Sequence, residues 1–175
     1  MKSTVLFYVR IFQNNRYNGV TEKPKVSREF KSIENIMKKI IDKFTGVGVA
    51  LVTPFDNRGS IDFAALAAII DRVIEGGVDY LLALGTTSET PTLTVAERVA
   101  VSRFIRERAA GRVALMVGVG GNCTADVVAT LKSWDFTGYD AVLSVNPYYN
   151  KPNQEGLYRH FKAISAASPL PIMLY

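Results

Sequence analysis

The sequence is poor in several things, and each shortage excludes something. There is one cysteine, Cys123, in 175 residues, so no internal disulfide can form, and no metal-ligand spacing surrounds it. A reducing, cytoplasmic setting fits that usage. Cys123 itself is expected to be a small, half-buried residue. No run of eighteen apolar residues occurs, so nothing reads as a membrane-spanning helix. The opening stretch MKSTVLFYVRIF has a lysine and a short apolar run. Arg10 interrupts it and no small-residue cleavage site follows, so it is not expected to act as a signal peptide. No Gly-x-Gly-x-x-Gly follows the first strand-like run, where the turn reads Thr53-Pro54-Phe55-Asp56. The GVGG at 118–121 carries only part of a dinucleotide fingerprint and is a weak signal. No cofactor or metal is expected.

Net positive charge is present, but only locally. The formal net charge of +5 divides unevenly: residues 1–45 hold ten basic and four acidic side chains, the remainder eleven and twelve. The main body therefore has no polyanion signature, and nucleic acid is not an expected partner. Residues 1–43 are Asn- and Lys-rich with weak periodicity. Within them Phe30, Ile33, Ile36, Met37, Ile40 and Ile41 could line one face of a short amphipathic helix. The segment is expected to be a poorly ordered or extraneous extension, leaving 44–175 as the folded body. One reading gives its basic residues a role in binding a partner without catalysis.

At 48% hydrophobic residues the chain can build a real core. From Val47 onward strand-like apolar runs recur at 47–53, 79–84, 113–119, 140–146 and 170–175. They are continuous rather than alternating, so both faces of each strand are buried. Helical patterns lie between them at 62–76, 94–110, 124–133 and 154–167. The first ends on Gly76-Gly77, and the second opens on Thr94-Val95-Ala96-Glu97, a capping box. Strand and helix alternating at this spacing mean parallel βα units. An open doubly wound sheet and a (β/α)8 barrel compete. Polar residues gather where the runs end, at Thr53, Thr86, Thr87, Asn146, Tyr148, Tyr149 and Tyr175, and in a barrel that rim carries the chemistry. A whole barrel takes eight units and roughly 250 residues. The expected fold is α/β, a partial (β/α)8 TIM barrel with about five of eight βα units.

Three stretches stand out among the rim residues. LGTTSETPTLT (84–94) puts two hydroxyls on a loop leading to a helix start, where free amides favour an anion such as a carboxylate. VNPYYNKPNQEGLY (145–158) places two adjacent tyrosines after the fourth run, and IMLY ends the fifth on another. Singly, each reads as turn chemistry or packing. His160, the lone histidine, reads as a surface or packing residue.

Together with FTGVGVALVTPF, these blocks resemble the dihydrodipicolinate synthase family, from about Phe44 to Tyr175. The resemblance implies a barrel enzyme of lysine biosynthesis by the diaminopimelate route. Such an enzyme is a class I aldolase-type lyase that condenses pyruvate with aspartate 4-semialdehyde through a Schiff base. It implies a relay of three hydroxyls, with Thr86 in the middle, Tyr175 as proton donor and acceptor near the imine, and Tyr149 lent across a subunit interface. Thr87 is similar to the residue that holds the pyruvate carboxylate, and Tyr148 to an interface packing residue. A homo-oligomer, dimer or tetramer, follows from the lending of Tyr149. A tyrosine phenol has a reference pKa near 10 and a threonine hydroxyl both donates and accepts, so such residues can pass protons without a lasting charge. The family's Schiff-base lysine belongs to a sixth strand, so residues 1–175 alone are expected to be a truncated, inactive form. Ser88 stands where the family often has glycine, and little effect is expected of it. An N-acetylneuraminate lyase or 2-keto-3-deoxy-sugar acid aldolase would share the barrel, the imine and the Thr-Thr loop. The Tyr148-Tyr149-Asn150 run argues for the synthase.

Overall fold

The computed structural model describes residues 38–175, so most of the 1–43 extension, with the apolar face from Phe30 to Met37, lies outside the described residues. Helical turns over 38–43 come first. Then follow β1 (Gly48–Ala50), α1 (Phe63–Glu75), β2 (Tyr80–Ala83), 310 turns at Thr86–Ser88 and Thr90–Thr92, and α2 (Val95–Ala109). The chain continues through β3 (Ala114–Gly118), α3 (Thr124–Ser133), β4 (Ala141–Ser144), α4 (Gln154–Ala167) and β5 (Ile172–Leu174).

The helices start where their caps say they should. Asp62 accepts from the Ala65 amide (2.8 Å) and Asn153 from the Gly156 amide (2.9 Å). Thr94 and Glu97 close the capping box from both sides. Each such cap contributes about 1 kcal/mol. The backbone amide and hydroxyl of Thr94 also hold the Glu97 carboxyl below its usual range. After α1 the chain turns at Gly77, whose φ of +85° is strained for any residue with a side chain.

The strands form one sheet in the order β1-β2-β3-β4-β5, every neighbouring pair parallel. This settles the choice between architectures. A doubly wound sheet reverses its strand order at a switch point; this one never reverses, so the fold is a partial α/β barrel. Strand alternation then produces two apolar layers. Outward residues such as Leu51, Leu81, Val117 and Val142 pack against Leu66, Ile70, Val101 and Ile105 of the helices in the larger core. Inward residues Tyr80, Leu82, Met116, Ala141 and Leu143 form a separate cluster, the barrel lumen.

The N-terminal end of that lumen is closed. Phe44 stands edge-on to Tyr80 at 5.3 Å, and Ile40 from the 38–43 turns packs on the same cluster. Two aspartates tie the strand starts together there. Asp79 accepts from the Val47 amide (2.7 Å) while its own amide donates to Val47 (2.8 Å). Asp140 does the same with Leu115, at 3.0 and 2.8 Å, and its carboxylate also pairs with Lys43.

Phe44 therefore works as a plug. Phe44→Ala is expected to lower the unfolding free energy by about 3 kcal/mol, the loss typical of a truncated core phenylalanine. Denaturant titration checks it, and a loss near zero would mean that the plug is ornamental.

Candidate active site

A cavity of about 460 Å³ opens at the C-terminal ends of the strands. Its inner part is walled by Leu84, Thr86, Gly118, Val145 and Tyr175. Its outer part runs between α2 and α3, against Arg98, Asn122, Asp126, Thr130 and Trp134.

Tyr175 reaches the rim because β5 runs on beside β4. Its amide donates to the Ser144 carbonyl (3.0 Å), and its carbonyl accepts from the Asn146 amide (3.2 Å). It lies two residues beyond Met173, so its side chain falls on the lumen face of the sheet. Thr86 reaches the rim by a different device. β2 leaves the sheet at Leu84, with φ of +54°, and the 310 turn ends at Glu89, with φ of +53°. Non-glycine residues in this region cost of order 1–3 kcal/mol each unless their surroundings hold them. Gly118 makes the bend possible: a Cβ there would lie 2.2 Å from the Leu84 carbonyl oxygen.

Of the residues singled out from the sequence, the structure brings Thr86 and Tyr175 into one cavity. Neither hydroxyl has a hydrogen-bond partner among the described residues, so both are free to meet a ligand. Thr87 is exposed on the same turn but does not line the cavity. The α-helix begins only at Val95, after two 310 turns, so the Thr-Thr pair does not sit at its start. Tyr149 is 90% exposed with φ of +68°, turned away from the cavity on the loop between β4 and α4. Tyr148 does line the cavity, and its amide donates to Asn122 Oδ1 at 2.7 Å.

The outer wall was not legible in the sequence. Arg98, Asn122 and Asp126 come from two helices and a loop, and only the GVGG run (118–121) pointed near them. Cys123 is exposed on this wall rather than half-buried, because it precedes α3 as its cap without making a side-chain cap bond. His160 is buried at 3% exposure, and its Nδ1 pairs with Thr124 Oγ1 at 2.8 Å, bracing the start of α3 behind that wall. Its Nε2 has no partner among the described residues, and burial pushes its pKa below the usual histidine value.

The model of the dihydrodipicolinate synthetase family matches residues 43–175. The chain is 53% identical over 130 residues to a 4-hydroxy-tetrahydrodipicolinate synthase from Parabacteroides distasonis, covering 74% of this chain and 44% of that protein. It is 46% identical over 132 residues to the Bacillus subtilis protein of the same name, covering 75% and 46%. The chain thus spans less than half the length of these relatives. Among solved structures it is similar to dihydrodipicolinate synthase from Aquifex aeolicus, with a TM-score of 0.69 and 44% identity over 74% of this chain and 44% of that one. It is also similar to the Acinetobacter baumannii enzyme, solved in complex with pyruvate, with a TM-score of 0.71 and 42% identity over 74% and 45%.

One pH dependence follows from His160. A histidine whose folded pKa is depressed adds stability that is complete above its unfolded pKa of about 6.5 and is lost as pH falls through the folded value. As the lone histidine, it is the one side chain whose ordinary pKa lies between about pH 5 and 8, and its loss of stability sets in over the window below about pH 6.5. Urea midpoints are expected to drop across that window in the parent chain and to stay flat in His160→Gln.

Proposed function

The chain belongs to the dihydrodipicolinate synthetase family, and from that premise we propose that it supplies the proton-handling part of a 4-hydroxy-tetrahydrodipicolinate synthase. That enzyme is a cytoplasmic lyase of diaminopimelate and lysine biosynthesis, condensing pyruvate with aspartate 4-semialdehyde. The observation that carries the reading is the meeting of two hydroxyls without partners among the described residues, Thr86 and Tyr175, in one cavity at the C-terminal rim of the barrel. The likeness to an enzyme solved with pyruvate supports it.

In this reading a lysine from a sixth strand, outside these 175 residues, forms an imine with pyruvate. Tyr175 gives and takes the protons of imine formation and of the new carbon–carbon bond. Thr86 is both donor and acceptor, so it connects Tyr175 to a second phenol. That phenol is Tyr149 of another subunit. Its near-complete exposure and outward, left-handed backbone suit a side chain lent to a neighbour in a homo-oligomer. Thr87, exposed on the same turn just outside the cavity lining, is assigned the pyruvate carboxylate on its match to the family motif alone. The aldehyde substrate approaches through the open rim. Neither Lys151, in the loop after β4, nor Lys162, on α4 and 5.6 Å from the Tyr158 ring, stands at the cavity.

A fusion of residues 1–175 to the remaining C-terminal part of the Parabacteroides distasonis relative tests the proposal. With pyruvate and borohydride the fusion is expected to trap one pyruvyl adduct on a lysine of the grafted part. Residues 1–175 alone are expected to trap none. Tyr175→Phe in the fusion is expected to slow turnover about 100-fold, the scale of a lost general acid–base group. A folded fusion without an adduct, or an adduct on Lys151 or Lys162, overturns the reading.

A further inference from the structure

We propose that Thr53 and Ser88 form a buried hydroxyl latch that positions the Thr86–Thr87 turn, resting on the functional reading above. The observations come from the join between β1 and β2. Backbone pairing between these strands runs from Gly48 and Tyr80 up to the Leu51 amide, which donates to the Leu82 carbonyl at 3.0 Å. In a parallel ladder the Leu51 carbonyl would next accept from the Leu84 amide. Leu84 has already turned out of the sheet. The Ser88 hydroxyl takes the position instead, donating to the Leu51 carbonyl at 2.6 Å. Two residues along, the Thr53 hydroxyl donates to the Ser88 carbonyl at 2.8 Å. Side chains thus carry the ladder two residues past the point where the backbone abandons it.

Both latch residues are closed to solvent, Ser88 at 1% and Thr53 at 3% exposure. Water cannot substitute for a partner that is removed there, so the bonds count for more than exposed ones would. The latch grips the turn at the residue directly after Thr87. On the far side Gly118 lies against the Leu84 carbonyl, and Thr90 Oγ1 donates to the Gly85 carbonyl at 3.0 Å. The turn is therefore held from β1, from β3 and from its own exit. In this chain the Ser88 hydroxyl closes the β1 side. Glycine or alanine there would leave the Leu51 carbonyl without its donor, so Ser88 is a working part of this chain's loop. Thr53 and Ser88 are positioning residues, since neither lines the cavity.

Amide hydrogen exchange on the 175-residue chain tests the latch, read at Ser88 and Glu89, whose amides close the 310 turn on the Gly85 and Thr86 carbonyls. Thr53→Val keeps the shape and removes the donor; Thr53→Ser keeps the donor and removes a methyl. Thr53→Val and Ser88→Ala are each expected to speed exchange at these two amides about tenfold, with Thr53→Ser close to the parent and the amides of Arg98 and Val101 in α2 unchanged. Unchanged exchange in Thr53→Val and Ser88→Ala overturns the latch. So does equal acceleration in α2, or acceleration by Thr53→Ser. In the fusion described above, Thr53→Val is expected to raise the pyruvate KM about tenfold, with Thr53→Ser close to the parent value, a rescue that a purely structural residue would not show in KM. A faster turn with an unaltered KM would deny Thr53 its positioning role. A parent fusion that traps no adduct would defeat the functional reading while leaving the exchange result to decide the latch.

Discussion

Parallel pairing in unbroken sequential order is the constraint on which everything else in this molecule rests. It sends the C-terminal ends of all five strands to one rim. Alternation along each strand then decides what stands there. Counting by twos from the lumen, Leu82, Met116 and Ala141 form one level, Gly118, Leu143 and Met173 the next, and Tyr175 lies above Met173. Thr86 arrives beside them only because β2 breaks early. In a sheet whose order reversed, β2 and β5 could face opposite sides of a crevice, and the two hydroxyls would not share a cavity.

The two apolar layers divide the labour. The outer one, between sheet and helices, is the larger, with Leu66, Ile70, Val101 and Ile105 buried. Full burial of such side chains stabilises by about 1.5–3 kcal/mol each. The lumen is small and graded. Gly48 leaves space that the Tyr80 ring fills, since a Cβ there would fall 2.0 Å from the ring. Phe44 then seals that end. With that end sealed, the cavity lies at the opposite end of the strands, at the rim where Thr86 and Tyr175 stand.

Most of this scaffold was legible in the sequence because its signals are local. Continuous apolar runs gave the strands, the Thr94-x-x-Glu97 box gave the start of α2, and Gly76-Gly77 gave the end of α1. The strands proved shorter than the runs, since the ladder ends where loops take over the backbone groups. What stayed hidden depends on partners distant in sequence. His160 looks like any helix residue until Thr124, 36 positions earlier, is seen against it. Ser88 reads as a harmless small residue until the Leu51 carbonyl, 37 positions away, is seen to need a donor. The outer cavity wall is hidden for the same reason: Arg98 and Asp126 share no local pattern.

Backbone strain shows where the fold's stability is spent. Among the described residues, four non-glycine residues have positive φ: Leu84, Glu89, Ala110 and Tyr149. Ala110 is the C-cap of α2, where a left-handed residue is an ordinary way to end a helix. Of the other three, Leu84 and Glu89 flank the Thr86 turn and Tyr149 lies on the loop between β4 and α4. Nothing local favours them, because leucine, glutamate and tyrosine have no special tolerance for that region. Leu84 and Glu89 persist because β1, β3 and the buried hydroxyls of Thr53 and Ser88 hold the turn between them. Leu84 and Glu89 are also the residues that turn Thr86 out of the sheet and toward the cavity. A more relaxed β2 would continue its ladder past Leu84 and carry Thr86 along the strand, out of the bend that now presents it to the cavity.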